Sequence, residues 1–342
     1  MSIRVAINGF GRIGRLVLRA MLEREGVFEV VAINDLAPAK HLAYLLKYDT
    51  TQGRFGGDVL ANNDEGPLHV CDHRVRLFAK KDPAQLPWRD LDIDVVVEAT
   101  GLFREPKTDE KPGYDSHLDA GAKKVIITAP TKGFARVVVL GVNDADLKAD
   151  DRCVSNASCT TNSLAPVIKV LHEALHIEQG LMVTVHAYTG EQRLVDTIQL
   201  KDLRRARAAA ANIIPTTTNA AKAIGLVVPE LAGKLDGYAL RVPVPAGSIT
   251  DLTVNVRTPT IPEKVNTIIE DAANGPMGKY LEYTNEPIVS SDIVGNPHSS
   301  IFDGGNTRVI DGMMVKCTMW YDNEWGYSCR TAELAEKIAK MK

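Results

Sequence analysis

The fold of the first half of the chain is decided by its opening stretch, Ile3-Arg4-Val5-Ala6-Ile7-Asn8-Gly9-Phe10-Gly11-Arg12-Ile13-Gly14. Its apolar start predicts a short buried strand, residues 9–14 predict a turn, and the apolar spacing that follows predicts a helix reaching about Arg24. A second apolar run over residues 27–33 predicts the next strand. Together these elements form a βαβ unit with the length and order of a right-handed crossover.

The glycines of this turn, Gly9, Gly11 and Gly14, are spaced as Gly-x-Gly-x-x-Gly between a strand and a helix. Glycines there permit a tight turn, close approach of a pyrophosphate and close packing of the helix, whose N-terminus then faces the phosphates. Asp35 ends the second strand, where its carboxylate can accept hydrogen bonds from the adenosine ribose and repel a 2′-phosphate. The pattern predicts NAD binding. The alternative is a glycine turn of any α/β domain, with Asp35 as a solvated strand end.

Further short apolar runs predict a doubly wound domain over about the first 150 residues, with a parallel sheet buried on both faces. They lie at residues 95–99, 125–127 and 137–140. We expect an exposed loop over residues 104–116 and a domain boundary near residues 155–159.

From about Met182 the apolar segments become longer and alternate, which predicts a mostly antiparallel sheet. These segments are residues 238–242, 249–256 and 314–320. Helices are predicted over residues 262–273 and 331–341.

Composition narrows the class of protein. A chain of 342 residues suggests two domains. Its 40 Lys and Arg against 43 Asp and Glu, with a formal net charge of −3, give no electrostatic reason to expect a nucleic-acid or membrane partner. No apolar run approaches the roughly 20 residues of a membrane span, and the first residues do not resemble a signal peptide.

Five cysteines form an odd and sparse set, which argues against a disulfide framework and for a reducing, cytoplasmic setting. They are Cys71, Cys153, Cys159, Cys317 and Cys329. There is no C-x-x-C pair and the eight histidines are scattered, so the sequence predicts no metal site.

Cys159 lies in the small polar stretch Ser155-Asn156-Ala157-Ser158-Cys159-Thr160-Thr161-Asn162, just before a helical run over residues 164–175. Positive potential at a helix N-terminus can lower a thiol pKa from about 8.5 into the range of roughly 3.5 to 7.5, which makes the thiol a nucleophile. Ser158 or Thr160 can equally be the cap, with Cys159 a buried small hydrophobe. His186 ends the predicted strand 181–185 and is a candidate base for this thiol, although a histidine at a strand end is more often structural.

Basic residues offer a candidate anion site. Lys201, Arg204, Arg205 and Arg207 form a run that is either a solvated helix face, which composition favours, or a site for a phosphorylated substrate. Arg241 lies inside an apolar strand, and a buried arginine needs an anionic partner.

Seven segments, spread over nearly the whole chain, form a set that is characteristic of one enzyme family. They are Asn8-Gly9-Phe10-Gly11-Arg12-Ile13-Gly14-Arg15, residues 155–162, His186-Ala187-Tyr188-Thr189, residues 202–210, residues 213–218, Arg241-Val242-Pro243 and Tyr321-Asp322-Asn323-Glu324-Trp325-Gly326-Tyr327. Together they resemble the glyceraldehyde-3-phosphate dehydrogenases, and the octet around Cys159 is highly specific to that family and its closest relatives.

The resemblance implies a role for each matching residue. Cys159 is the nucleophile, His186 its base, and Asn323 the residue that holds the nicotinamide carboxamide. The cofactor site is lined by Arg12, Ile13, Asp35, Lys81 and Thr128. One phosphate is bound by Ser158, Thr160 and Thr218, and the other by Thr189, Arg205 and Arg241.

The implied reaction, which belongs to glycolysis and gluconeogenesis, is the oxidation of glyceraldehyde 3-phosphate with NAD and inorganic phosphate. It passes through a cysteine thiohemiacetal and thioester and yields 1,3-bisphosphoglycerate. The two rival functions are an erythrose-4-phosphate dehydrogenase, which releases the acid through water, and a non-catalytic NAD-binding protein that acts through partner contacts.

The resemblance also implies a domain organisation. A Rossmann NAD-binding domain spans residues 1–157 and is completed by a C-terminal helix at 325–342, and an α+β catalytic domain spans 158–324. Residues 188–215 are then largely an extended loop near a neighbouring subunit, although residues 203–211 have good helix propensity. Four subunits assemble as a homotetramer.

Four departures from the family pattern are visible. Asn219 stands where glycine usually follows the third threonine, next to a phosphate site. Ser163 replaces a second cysteine, so a disulfide there cannot form. Residues 195–200 are one residue longer than usual, which leaves the choice between NAD and NADP open, and the loop 104–116 is expanded.

Overall fold

Two structural units make up the computed structural model, which describes residues 2–64, 66–200 and 202–341. The first unit comprises Met1–Val138, Asp146–Ala157 and Ser328–Lys342. The second comprises Val139–Ala145 and Ser158–Tyr327. This division differs from the predicted domains at residues 139–145 and 325–327. Lys201 of the predicted basic run lies outside the described residues.

The first unit alternates short strands with helices. Its helices are α1 (Arg12–Leu22), α2 (Ala39–Lys47) and α3 (Ser116–Asp119). Its strands are β1 (Ile3–Asn8), β2 (Phe28–Asn34), β3 (Val59–Ala61), β4 (Leu68–Val70), β5 (His73–Phe78), β6 (Val95–Glu98), β7 (Lys124–Ile127), β8 (Arg136–Val137) and β9 (Cys153–Ser155).

These strands form one sheet in the order β3-β4-β5-β2-β1-β6-β7-β9-β8, parallel from β5 onward. Strand β1 lies between β2 and β6, with Ile7 paired to both Ile33 and Val97. The chain changes direction across the sheet at this position, and ligands of doubly wound folds bind at the carboxyl ends of the strands there. The predicted doubly wound parallel sheet is therefore confirmed.

The second unit is built on a seven-stranded sheet. Its helices are α4 (Cys159–Leu175), α5 (Ala220–Val227) and α6 (Pro262–Ala273), followed by α7 (Trp325–Lys340), most of which belongs to the first unit. Its strands are β10 (Ile177–Ala187), β11 (Ile214–Thr217), β12 (Leu235–Val242), β13 (Ser248–Val256), β14 (Leu281–Thr284), β15 (Ser300–Ile310) and β16 (Met314–Tyr321).

The order of this second sheet is β11-β12-β10-β13-β16-β15-β14. Four of its pairings are antiparallel, and the pairings β10 with β12 and β14 with β15 are parallel. Along β13, buried and half-buried residues alternate, as expected for a sheet with one face against a core. The mostly antiparallel sheet predicted for this half is confirmed.

Two elements differ from their prediction. The apolar run 137–140 is in a strand only at Val137, the end of Arg136–Val137. The amide of Val138 still donates to the carbonyl oxygen of Ser155 in β9 at 2.9 Å, but the chain leaves the sheet after it because the amide of Val139 donates to the Asn143 side chain at 2.9 Å. Helix α7 begins at Trp325, six residues before the start predicted from apolar spacing and at the start that the resemblance implied, because Asp322 Oδ1 accepts hydrogen bonds from the amides of Glu324 and Trp325.

The segment 188–213 contains two 3₁₀ turns, Arg204–Ala206 and Ala209–Ala211, and an isolated bridge between Arg193 and Ala208. The extended loop that the resemblance implied is confirmed over the described part of this segment. Its large apolar side chains are exposed: Leu194, Val195, Ile198, Leu200 and Leu203. Within the described residues, no helix has the length and apolar character needed to cross a membrane.

Candidate active site

The glycine turn after β1 is shaped by close backbone packing. Gly9 has a φ of +90°, and a Cβ there would lie 2.7 Å from the amide nitrogen of Thr100. A Cβ on Gly14 would lie 2.1 Å from the carbonyl oxygen of Gly9. A Cβ on Gly11, by contrast, would meet no described atom within 4 Å, so this glycine leaves the N-terminus of α1 open to a ligand.

Asp35 lies directly beside this turn. Its Oδ2 accepts a hydrogen bond from the amide of Phe10 at 2.7 Å, and its Oδ1 accepts one from the amide of Ala37 at 2.9 Å. Each carboxylate oxygen has a further lone pair, so the group can still accept hydrogen bonds from ribose hydroxyls. The open helix N-terminus and this carboxylate fit a dinucleotide.

Below the turn lies a buried polar network that the sequence analysis missed. Glu98 accepts hydrogen bonds from Asn8 Nδ2 at 2.5 Å and from the amide of Thr100 at 2.8 Å, and it contacts His117 Nε2 at 3.1 Å. Trp88 Nε1 donates to the other ring nitrogen of His117 at 3.0 Å. The sequence does contain a sign of this network, because Glu98 follows the apolar run 95–97 and a buried carboxylate needs hydrogen-bond donors around it.

The other predicted cofactor residues of the first unit lie at the ends of its elements. Arg12 and Ile13 are the first two residues of α1, and Arg12 donates to both carboxylate oxygens of Asp49 at 3.0 and 3.2 Å. Lys81 is exposed. Thr128 follows β7 and donates twice to the carbonyl oxygen of Glu98, from its amide at 3.0 Å and from its hydroxyl at 3.1 Å.

Asn323 follows β16 in the second unit and is buried. Its Oδ1 accepts a hydrogen bond from the Ser248 hydroxyl at 3.0 Å, and the Ser248 oxygen accepts one from the amide of Ala187 at 3.1 Å. This chain fixes the orientation of the Asn323 amide and leaves its Nδ2 to donate, as recognition of a nicotinamide carboxamide requires.

Cys159 is the first residue of α4. The preceding Ser158 is the N-cap, because its Oγ accepts the amide of Thr161 at 3.1 Å. The structure thereby decides between the two predicted caps. The thiol takes the position where the helix dipole favours negative charge.

His186, near the end of β10, meets this thiol. Its Nε2 lies 3.4 Å from Cys159 Sγ, and its Nδ1 lies 2.6 Å from the carbonyl oxygen of Ala187. A contact that short requires a proton on Nδ1, since two lone pairs would otherwise face each other. Arg241 Nη1, 2.9 Å from Nδ1, then donates to the Ala187 carbonyl at 3.0 Å. Nε2 therefore presents its lone pair to the thiol.

Burial sets the protonation of both groups. It raises the pKa of the Cys159 thiol, although the charge of Arg241 and hydrogen bonds from Thr160 lower it. Burial, together with the charge of Arg241, lowers the pKa of His186 to about 3. The position of Cys159 at a helix N-terminus predicts a lowered thiol pKa, but burial outweighs this effect and the pKa is raised. The imidazole is neutral at pH 7 and able to accept a proton.

Tyr321 supports this pair and was also missed from the sequence. Its hydroxyl is hydrogen-bonded to Thr160 Oγ1 at 2.9 Å and to Thr184 Oγ1 at 2.8 Å, and its ring packs edge-on against His186 with centroids 5.9 Å apart. Burial raises the pKa of Tyr321, so the hydroxyl stays protonated. Tyr321 opens the family segment 321–327, but neither that segment nor the alternating strand 314–320 before it indicates the contacts of Tyr321 with Thr160, Thr184 and His186.

Besides Ser158 and Thr160 at the start of α4, the residues predicted to bind phosphate lie in two groups. Arg241 donates from Nη1 to Thr189 Oγ1 at 3.4 Å, and Arg205 donates from Nε to Thr216 Oγ1 at 2.8 Å. The second group flanks the start of a helix: Thr218 Oγ1 accepts the amide of Ala220 at 3.2 Å, and Asn219 is the N-cap of α5.

Comparison with known proteins adds to this geometry. Residues 3–106 match the family model described as glyceraldehyde 3-phosphate dehydrogenase, NAD binding domain, and residues 158–323 match the one described as its C-terminal domain. The chain belongs to the glyceraldehyde-3-phosphate dehydrogenase family. NAD is thereby confirmed as its cofactor, and NAD-dependent oxidation as its class of reaction.

Three relatives match over nearly their full length. A glyceraldehyde-3-phosphate dehydrogenase of Borreliella burgdorferi is 53% identical over 341 residues, covering 99% of this chain and 100% of that protein. Glyceraldehyde-3-phosphate dehydrogenase 2 of Streptomyces arenae is 53% identical over 339 residues, covering 99% of each. Glyceraldehyde-3-phosphate dehydrogenase 2 of Bacillus subtilis strain 168 is 52% identical over 341 residues, covering 99% of this chain and 97% of that protein.

Asn219 departs from the glyceraldehyde-3-phosphate dehydrogenase pattern without strain. Its φ of −100° and ψ of 6° are open to any residue, so the glycine of the family is not needed here for a left-handed turn. The side chain is exposed and does not cap the helix. What distinguishes asparagine from glycine at this position is the space that its side chain takes beside Thr218.

Proposed function

We propose that this chain oxidises glyceraldehyde 3-phosphate to 1,3-bisphosphoglycerate with NAD and inorganic phosphate, using Cys159 as nucleophile and His186 as base. The observation that carries the residue roles is the 3.4 Å contact between Cys159 Sγ and His186 Nε2 at the start of α4. The names of the relatives, all glyceraldehyde-3-phosphate dehydrogenases, favour this reaction over the erythrose-4-phosphate and non-catalytic alternatives.

The first step forms a carbon–sulfur bond. Cys159 Sγ attacks the aldehyde carbon as its proton passes to the neutral Nε2 of His186, and that proton is delivered to the former aldehyde oxygen. The amide of Cys159 lies in the first turn of α4, where amides lack helical acceptors, and is our candidate donor to this oxygen. The product of the step is a thiohemiacetal.

Oxidation requires the hydroxyl proton to leave. His186 takes it back through Nε2, because an alkoxide expels hydride far more readily than an alcohol does. NAD would supply the hydride acceptor when bound. The residues that would hold it are Gly9, Gly11, Arg12, Ile13, Gly14, Asp35, Lys81 and Thr128, with Asn323 for its carboxamide. The carbon remains attached to Cys159 as a thioester.

Inorganic phosphate then releases the product. One of its oxygens attacks the thioester carbon, the carbon–sulfur bond breaks, and Sγ regains the proton held by His186. Ser158, Thr160, Thr218 and Asn219 line the site for this phosphate, and Thr189, Arg205 and Arg241 that for the phosphate of the aldehyde.

We also propose a homotetramer in the cytoplasm. The exposed apolar side chains of the loop 188–213, Leu200 at 94% exposure among them, support an interface between copies of the chain. The sparse cysteines, all free thiols, support a reducing compartment. Light scattering in solution tests the assembly, since four copies of a 37.2 kDa chain are expected.

The test of the proposed function replaces Cys159 with serine. Cys159→Ser is expected to lose at least about 10³-fold in phosphate-dependent oxidation while binding NAD normally, because a serine hydroxyl is a far weaker nucleophile than a thiol. Cys71→Ser, at an exposed cysteine of the first unit, is the matched control and should keep full activity. Turnover by Cys159→Ser, or a wild-type rate indifferent to inorganic phosphate, would refute the proposal.

A further inference from the structure

The carboxylate of Glu191 lies between the two arginines assigned to the substrate's phosphate. Its Oε1 is 2.8 Å from Arg205 Nη1 and 3.4 Å from Arg241 Nη2. The arginine side chains are only 17% and 13% exposed, whereas that of Glu191 is 45% exposed. One anion of the protein therefore joins two sheltered cations.

The remaining contacts of the arginines hold them in place. Arg205 Nε donates to Thr216 Oγ1 at 2.8 Å and pairs with Asp202 Oδ2 at 3.4 Å. Arg241 Nη1 donates to the carbonyl oxygen of Ala187 at 3.0 Å. Glu191 takes the Nη1 group of Arg205 and the Nη2 group of Arg241, which these protein oxygens leave available. A phosphate that binds both arginines needs the same groups.

We propose that Glu191 is an internal ligand of the substrate-phosphate site, which pairs with both arginines when no substrate is bound and competes with the phosphate of the aldehyde for them. The inference rests on the proposed function, since it takes Arg205 and Arg241 as the binders of that phosphate. Glu191 is long and exposed and can rotate into solvent, while the arginines stay fixed. Its return helps to expel the phosphate of the product.

Competition of this kind acts on phosphorylated aldehydes alone. An aldehyde without phosphate does not displace Glu191, so it gains nothing when the carboxylate is removed. Glu191→Gln keeps the length of the side chain and removes its charge. We expect the KM for glyceraldehyde 3-phosphate to fall about three- to tenfold, which corresponds to roughly 0.7–1.4 kcal/mol. kcat/KM for unphosphorylated glyceraldehyde should stay within about twofold.

The matched control is Glu178→Gln. Glu178 is an exposed glutamate of the same unit that pairs with one arginine, Arg257, at 3.3 Å. Its replacement by glutamine changes the net charge by the same amount as Glu191→Gln. It should leave the KM for both aldehydes unchanged. A KM for glyceraldehyde 3-phosphate that rises or stays the same in Glu191→Gln would overturn the proposal, since a rise would mean that the carboxylate orients the arginines for substrate.

Sulfate gives a readout that does not depend on turnover. Because a ligand of the folded state raises the unfolding temperature, sulfate should stabilise Glu191→Gln more than it stabilises the wild type or Glu178→Gln. If the wild type fails to oxidise glyceraldehyde 3-phosphate but this difference is seen, the proposed function is wrong and the competition stands. Equal stabilisation of the three proteins would contradict the competition even in an active enzyme.

Discussion

Each of the two units contains a buried histidine in a polar network, but the two histidines differ in the groups that their ring nitrogens contact. In the first unit, His117 receives a hydrogen bond from Trp88 Nε1 at 3.0 Å on one nitrogen and faces the Glu98 carboxylate at 3.1 Å with the other. In the second, His186 is tied to a backbone carbonyl through Nδ1, and its Nε2 faces the Cys159 thiol at 3.4 Å.

This difference shows what separates a structural from a catalytic histidine when burial is equal. Trp88 can only donate, so Nδ1 of His117 is an acceptor and Nε2 carries the proton that Glu98 accepts. Both nitrogens are used, and the ring fixes Glu98 and through it the amide of Thr100 beside Gly9. His186 has a cation, Arg241, as its neighbour instead of a carboxylate, and its one free lone pair points at a nucleophile.

The largest effect that tests this contrast comes from replacing each histidine with asparagine. His186→Asn should reduce kcat about 10²- to 10⁴-fold, the usual contribution of a general base. His117→Asn should leave kcat within about threefold and destabilise the fold by about 1–3 kcal/mol, with weaker NAD binding, because Glu98 loses a buried partner. Steady-state kinetics, NAD titration and urea unfolding of both variants check it. Equal losses of kcat would erase the distinction.

In the first unit, the unit of His117, Asp35→Gly should reduce the preference for NAD over NADP about ten- to a hundredfold. The reason is that a hydrogen bond to a charged group contributes about 1.5–3 kcal/mol. Asp35→Asn is the matched control, since it can still accept the amide of Phe10 while lacking the charge that repels a 2′-phosphate. The ratio of kcat/KM for the two cofactors is the measurement. A wild type that prefers NADP would show that residues 195–200 outweigh the carboxylate.

The features of both units that are set by residues close together in the sequence could be predicted from it. The Gly9 turn, Asp35 and the helix that opens at Cys159 follow from local spacing and were all found. No local sequence pattern indicates the two buried networks, because each joins residues from separate strands and helices. These are the networks of Glu98 with His117 and of Tyr321 with Thr160.

The same limit explains the thiol pKa and the strand at residues 137–140. A helix N-terminus is visible in the sequence, but the burial of Cys159 that opposes it is a property of the packed unit. Likewise, an apolar run shows that residues will be buried, as Val138 and Val139 are, without showing that the amide of Val139 donates to the Asn143 side chain and not to a neighbouring strand.

The pH dependence of the free energy of unfolding should also distinguish His186 from a histidine whose pKa is the same in the folded and unfolded states. Its pKa is about 3 in the folded protein and about 6.5 when unfolded, so the unfolded state binds more protons between these values. Stability contributed by neutral His186 is therefore full above about pH 6.5 and is lost as pH falls toward 3. Urea unfolding between pH 4.5 and 7.5 should show a shallower slope in His186→Asn, and an unaltered slope would contradict this.

The smallest effect is expected at Asn219, on the phosphate side. Both asparagine and glycine fit its φ of −100°, so Asn219→Gly should change only the room beside Thr218. We expect the variant to need about two- to threefold less inorganic phosphate for half-maximal rate. This is less than the roughly tenfold change in affinity that one hydrogen bond can account for. The KM for NAD is the internal control. A variant that needs more phosphate would identify Asn219 as a ligand.

The central claim, that His186 accepts the proton of Cys159, is tested most directly by the pH dependence of Cys159 alkylation with iodoacetamide in NAD-free protein. Mass spectrometry assigns the modified cysteine in the wild type, His186→Asn and His117→Asn. Because His186 faces the thiol and His117 faces Glu98, His186→Asn should slow alkylation at neutral pH and move the profile to higher pH, whereas His117→Asn should retain the wild-type profile. An unchanged profile in His186→Asn would contradict the account.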